Sequence, residues 1–178
     1  MLYVALLRGI NVGGKNKIDM KMLKKTFEKA GMESVQTYIN TGNIVFSQTK
    51  RPQSQLATVL QKAIYEDFAL KIPVLVRNIE EFTNVSKAIP EFWVNDKTMK
   101  CDVMFLWEDI DNISIIDKIE ITANIDTVIY VPGAILWHSD RKNASQSARA
   151  KLAKSHLYQK ITIRNVNTTR KIHTMLQQ

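Results

Sequence analysis

The order in which extended and helical stretches follow one another constrains this chain more than any single motif. Residues Leu2–Leu7 are apolar at nearly every position, the pattern of a strand covered on both faces. A glycine-bearing connection, Arg8–Lys17, follows. Asp19 then suits an N-cap, and Met20, Leu23, Phe27 and Ala30 fall on one helical face before Gly31, a residue that readily ends a helix. Val35–Asn40 and Asn43–Ser47 read as strands joined at Thr41-Gly42, a tight-turn pair. Leu56, Val59, Leu60, Ala63 and Ile64 mark a second amphipathic helix, and Ile72–Val76 closes the series, with Pro73 favouring a sheet edge. The order is β-α-β-β-α-β, the ferredoxin-like unit.

The order then returns. Asn78, with Glu81 three residues on, predicts a capping box for a short helix ended by Pro90, and Glu91–Lys100 reads as a linker. Cys101–Trp107 is a strand, and Asp111–Ala123 a helix with Ile113, Ile116 and Ile119 inward. Thr127–Val131 and Ala134–His138 form a hairpin about Pro132-Gly133, a pair suited to a type II turn. Ala144–Gln159 is a helix with Ala148 and Leu152 inward, and Lys160–Arg164 the last strand. Asn165 caps a terminal helix facing inward through Val166, Thr169, Ile172 and Leu176. The expected fold is α+β: two ferredoxin-like βαββαβ subdomains with antiparallel sheets, a short connecting helix and a C-terminal helix. The divisions fall at residues 1–77, 78–100 and 101–178. The duplication is one of element order, without a residue-level repeat.

With 178 residues, a chain can bury a core without help from metal or disulfide. Cys101 is the only cysteine and lies beside an apolar run, so a buried, inert thiol is expected. Arg8 interrupts the short apolar start, and no stretch approaches the length of a membrane span. From these features a cytoplasmic protein with no membrane partner is expected. Charge is unevenly spread. Residues 1–50 hold eight Lys/Arg against three Asp/Glu (net +5), residues 51–137 eight against thirteen (net −5), and residues 138–178 nine against one (net +8). If the two basic ends lie side by side they make one positive surface, suited to phosphates or nucleic acid. Lysines on exposed faces also serve solubility alone.

Two segments stand out chemically. Gly9, Gly13, Gly14 and Lys15 imitate a phosphate-binding loop between strand and helix. Asn16, however, stands where such a loop carries Ser or Thr, and Asp19 sets a negative charge at the helix start. A looser anion-binding loop using Arg8, Asn11, Gly13, Gly14, Lys15, Asn16 and Lys17 is one reading; a plain connection using positive φ is the other. Arg164-Asn165-Val166-Asn167-Thr168 runs from a strand into a helix start, where free N–H groups, Arg164, Asn165, Asn167 and Thr168 suit an oxyanion and ordinary capping equally. The turn Tyr38–Asn43 offers Tyr38, Asn40 and Asn43 as hydrogen-bonding groups, and Lys151 adds charge. Leu2–Leu7, with Tyr3, resembles the first strand of an RNA-recognition motif, but Asn43–Phe46 lacks the usual aromatic pair. Glu108, Asp109 and Asp111 read as negative charge before a helix, and the three histidines show no metal-ligand spacing. No cofactor or metal is expected.

Tyr3–Asn16, Thr37–Phe46, Lys151-Leu152 and Thr162–Thr168 together resemble the signatures of a bacterial family known as domain of unknown function 1697. The resemblance spans nearly the whole chain. It implies two ferredoxin-like subdomains and no particular activity. This chain departs from it at Val166, where the family tends to carry tryptophan, and at Ala150, where serine is common.

Three functions follow as expectations. The first is binding of a phosphate-bearing ligand, nucleic acid or nucleotide, at a basic surface built from the two end motifs. The second is an enzyme acting on a small phosphorylated or carboxylated metabolite, with Tyr38 or His138 moving protons. The third is a protein-interaction scaffold pairing the acidic middle with basic ends. Turnover and oligomeric state are open.

Overall fold

The computed structural model describes all residues, 1–178. It forms two compact units, Met1–Phe82 with Thr174–Gln178, and Thr83–His173. Each carries a four-stranded antiparallel sheet.

In the first unit the strands are β1 (Leu2–Leu7), β2 (Glu33–Tyr38), β3 (Asn43–Ser47) and β4 (Val74–Asn78), in the order β2-β3-β1-β4. The near-continuous apolarity of β1 matches its central place between β3 and β4, and Val4, Ala5 and Leu6 are fully buried. Helices α1 (Met20–Lys29) and α2 (Gln53–Phe68) pack on the sheet through Leu23, Phe27, Leu56, Leu60 and Ile64. Asp19 caps α1 by accepting a 2.9 Å bond from the Met22 N–H. The closing strand begins two residues later than expected, after Pro73, which has no N–H to donate. At the end of that strand the capping box forms as read. The Glu81 N–H donates to Asn78 Oδ1 at 2.9 Å, the Asn78 N–H donates to Glu81 Oε2 at 3.0 Å, and α3 (Ile79–Ala88) follows.

The second unit repeats the plan with β5 (Met99–Leu106), β6 (Asp126–Val131), β7 (Ala134–Asp140) and β8 (Ile161–Asn165), ordered β6-β7-β5-β8. Its helices depart from expectation. Asp111–Ala123 is not an α-helix; only the 3-10 turns Glu108–Ile110 and Ile113–Lys118 form. Three-residue spacing of isoleucines suits a 3-10 repeat as well as an α-helix, and β-branched residues favour the α-helix little. Ile115 and Ile119 are buried, whereas Ile113 is exposed. The helix expected over 144–159 shrinks to α4 (Arg149–Lys154), flanked by 3-10 turns Arg141–Asn143 and His156–Lys160. Ala148 and Leu152 do point into the core. The terminal helix α5 (Val166–Leu176) buries Val166, Thr169, Ile172 and Leu176 as read. No helix is long and apolar enough to cross a membrane.

Asp126, at the start of β6, organises this unit. Its carboxylate accepts from Trp137 Nε1 (2.9 Å), Ser147 Oγ (2.6 Å), the Ala148 N–H (2.9 Å) and the Thr122 N–H (3.1 Å). Burial pushes its pKa up, but the bonds from Ala148, Ser147, Trp137 and Thr122 together outweigh burial and hold it below the ordinary aspartate value. A depressed pKa stabilises the fold fully above the unfolded value and loses that contribution as pH falls through the folded one. Asp126→Ala strands four donors and is expected to cost about 3 kcal/mol in urea unfolding at neutral pH. Asp126→Asn is expected to lose less stability than the wild type does between pH 5 and pH 2. Equal acid sensitivity in both proteins would contradict this role.

Candidate functional site

The connection after β1 is a small hairpin. Gly13 and Gly14 have φ of +59° and +74°, the left-handed pair a two-residue type I′ tip requires. Open space surrounds both, so backbone conformation and not crowding calls for glycine. The Lys15 N–H donates to Val12 O, and the Asn11 N–H to Asn16 O, both at 3.1 Å. Those amides are turned to the loop's own carbonyls. Asn16 Nδ2 donates to Gly9 O at 2.9 Å.

Asn11, itself at φ +52°, ties this hairpin to its surroundings. Its Oδ1 accepts from the Ile18 N–H (2.8 Å), while Nδ2 donates to Ile18 O (3.0 Å) and Asn40 O (2.8 Å). The last bond joins the loop to the β2–β3 turn. There Asn43, almost wholly buried, donates to Tyr38 O (3.0 Å) and Thr41 Oγ1 (3.1 Å) and closes the turn. Gly42 O accepts from the Leu7 N–H at 2.8 Å, and Ile10 is buried beneath. Ile39 is 48 % exposed with φ +48°, a strained conformation for a β-branched side chain.

Loop, turn and start of α1 together line an open depression of about 640 Å³ that includes Asn11, Gly14, Lys17, Lys21 and Asn40. Six lysines against two acids lie within residues 15–29. Lys24 pairs with Glu28 and Lys29 with Asp67, but Lys15, Lys17 and Lys21 are exposed and have neither an ion pair nor a side-chain hydrogen bond. Asp19, on the rim, is engaged as the cap of α1. Arg8 is half-buried at the root of the loop, where its N–H donates to Pro73 O at 3.0 Å.

The second motif lies in the other unit, at the β8–α5 junction. Asn165 Oδ1 caps α5 by accepting from the Thr168 N–H at 2.8 Å. Asn167 clasps the backbone of Asn95, donating to its O at 2.9 Å and accepting from its N at 3.2 Å. The Arg170 guanidinium donates to the carbonyls of Trp93, Pro90 and Glu91. The stretch read as a linker is thus strapped to α5. Arg164 is buried; it donates to Ile163 O (2.7 Å) and Thr162 Oγ1 (3.1 Å), and burial pulls its pKa down to about 10. Thr168 is buried, and Val166 is fully so. Lys151, exposed on α4, pairs with Glu120.

Other groups are quiet. Cys101 is wholly inaccessible, and burial pushes its thiol up to about 11. Asp109 pairs with Lys160 at 2.9 Å, and Asp111 accepts from Tyr130 Oη (3.0 Å) and the Gly133 N–H (2.9 Å). His138 lies 3.8 Å from Asp140 and against the Trp93 ring. No cluster of three His, Cys, Asp or Glu side chains is placed to hold a metal. Sequence reasoning passed over Lys21, which lies in the first turn of α1 and lines the same depression as Lys17. It also passed over the pair Arg149–Asp102, joined across 47 residues.

A family model described as a protein of unknown function (DUF1697) matches residues 1–137. Among solved structures, one of a conserved bacterial protein from Streptococcus pneumoniae is 31% identical, covers 98% of each chain and superposes with a TM-score of 0.83. No curated protein matches the chain.

Gly42→Ala is expected to destabilise by about 3 kcal/mol, because φ is +78° and a new Cβ would stand 2.6 Å from the Leu7 Cβ. Ile39→Asn, relieving a left-handed β-branched residue, is expected to add about 1 kcal/mol. Chemical denaturation of both variants checks the pair. A neutral Gly42→Ala would mean that the turn is not packed on β1 as described.

Proposed function

The chain belongs to the DUF1697 family, whose description assigns no activity, and from that premise we propose that its first unit binds a phosphate-bearing ligand, nucleic acid or nucleotide, at the lysine-rich ledge after β1. One observation carries the reading: Lys17 and Lys21 line one depression, exposed and without ion pairs, with exposed Lys15 next to its lining residue Gly14, and the backbone there is tied down by Asn11. An exposed lysine on a flexible stem gains little by itself. Three near one fixed ledge raise the local positive potential and attract polyanions.

Gly13 and Gly14 have no side chains to obstruct an approaching phosphate, and Val12 and Ile39, both exposed, offer apolar surface to a base or sugar. Asn11, Asn16 and Asn40 shape the ledge through the hydrogen bonds given above. In the C-terminal motif, Lys151 is ion-paired and the Asn165 and Asn167 side chains are engaged in capping and clasping. The proposal therefore places the charge-bearing contact on the N-terminal motif.

Fluorescence anisotropy with a labelled single-stranded oligonucleotide and with labelled ATP separates the two ligand sources. For a nucleic acid, log affinity is expected to fall linearly with log salt. The combined Lys15→Gln, Lys17→Gln, Lys21→Gln variant is expected to bind at least tenfold more weakly at low salt. Its slope should be smaller by about one per lysine that contacts phosphate. For a nucleotide, ATP alone should saturate binding. Unchanged affinity of the triple variant for both probes, or no binding of either, would overturn the proposal.

A further inference from the structure

The second unit has the same sheet order as the first but a much shorter helix on the corresponding face. With α4 only six residues long, a pocket of about 300 Å³ opens between it and strands β5, β7 and β8. Cross-strand pairing builds its two ends. Lys100 faces Ser139 and Asp102 faces Trp137, while Met104 faces Ile163. One end is polar, with Lys100, Asp102, Ser139 and Arg149; the other is apolar, with Met104, Ile163 and Leu152 from α4.

Arg149 is fixed in place. One terminal nitrogen is ion-paired with Asp102, and the other donates to Lys100 O (2.9 Å) and Trp137 O (2.8 Å). Its guanidinium also lies 5.4 Å from the centre of the Trp137 ring. Two polar atoms are nevertheless left over. Arg149 Nε and Ser139 Oγ are the only buried side-chain nitrogen or oxygen atoms in the chain without a hydrogen-bond partner, and both belong to residues lining this one pocket. Buried polar groups are nearly always satisfied, and an exception calls for a cause. Arg149 Nε can only donate and Ser139 Oγ can donate, so an acceptor would satisfy both. Charge points the same way. Among the residues that line the pocket, Asp102 offsets one of the two cations, Arg149 and Lys100, and one positive charge is left over; outside the lining, Asp126 also acts on Arg149 and Arg141 on Asp102. Lys100 itself has no ion-pair partner.

We propose that this pocket binds a small monocarboxylate with an apolar body. The carboxylate meets Lys100, Ser139 and Arg149, and the body lies on Met104, Leu152 and Ile163. A monoanion neutralises the excess charge, whereas a second negative charge would be opposed by Asp102. A cation would face the net positive end. The volume suits a ligand of a few carbons, at the small end of ordinary ligand pockets. This site is in a different unit from the lysine ledge and uses none of its residues, so either can fail without the other.

Titrating the ¹⁵N-labelled full chain with hexanoate and benzoate, against hexanol and hexylamine, tests the proposal. Saturable amide shifts are expected at residues 100–104, 139 and 149–153 for the carboxylates. Hexanol and hexylamine should bind at least tenfold more weakly. Lys100→Met is expected to weaken hexanoate tenfold or more, and Ser139→Ala several-fold. Ala153 is exposed at the rim, so Ala153→Trp blocks entry without entering the core and should abolish the shifts. Hexanol binding as tightly as hexanoate would overturn the proposal. So would the absence of saturable shifts at this pocket, or hexanoate affinity unchanged in both Lys100→Met and Ala153→Trp.

Discussion

Three hydrogen bonds from one side chain hold the loop and turn at one end of the first unit in shape. The Asn11 amide accepts from and donates to Ile18, and donates to the carbonyl of Asn40. It thereby fastens the β1 connection at once to the start of α1 and to the β2–β3 turn. Asparagine is among the few residues that tolerate left-handed backbone, so one residue supplies both the φ and the cross-link. Without that fastening, Gly9, Gly13 and Gly14 would leave the connection many conformations, and the lysines around it would be ordinary solvated chains. Fixing the ledge beforehand lowers the entropy lost when a ligand binds.

The two units show how one topology gives different surfaces. Both order their strands alike. In the first, helices of 10 and 16 residues cover the sheet and bury a large apolar core. In the second, 3-10 turns and a six-residue helix take those places. Polar chemistry fills part of the deficit: Asp126 gathers four donors, and Asp102 and Arg149 form a buried ion pair. A buried pair of this kind is weak evidence of stability, since desolvation offsets much of the attraction. Its placement beside a pocket with two unsatisfied atoms fits a role in recognition better than one in packing.

Much of the fold was legible because periodicity and capping act locally. The central place of β1 followed from its unbroken apolarity. Asp19, the Asn78–Glu81 box and Asn165 each cap the helix they were expected to cap, and the family resemblance is matched over residues 1–137. What was not legible depends on partners distant in sequence. The stretch after Asp111 reads as a helix until Asp111 is seen holding Tyr130 and Gly133. Ser147 and the Ala148 N–H, which a longer α4 would enclose, are instead taken by Asp126. For the candidate site, the sequence identified the glycines, lysines and asparagines as a group. It did not reveal which asparagines serve as internal fastenings, or that Lys21 lines the same depression as Lys17, because those facts come from the path of the chain into α1 and the approach of Asn40.

The most direct measurement is a residue-resolved one: an NMR map of amide shifts in the full chain as a short single-stranded oligonucleotide is added at low salt, repeated with Asn11→Ala. The expected result is a contiguous set of shifts over Gly13–Lys17, Lys21 and Asn40, which salt reverses and the Asn11→Ala variant loses together with exchange protection of the Ile18 amide. Shifts that avoid this ledge, or persist undiminished once Asn11 is gone, would contradict a rigid, lysine-bearing loop as the place where phosphate is met.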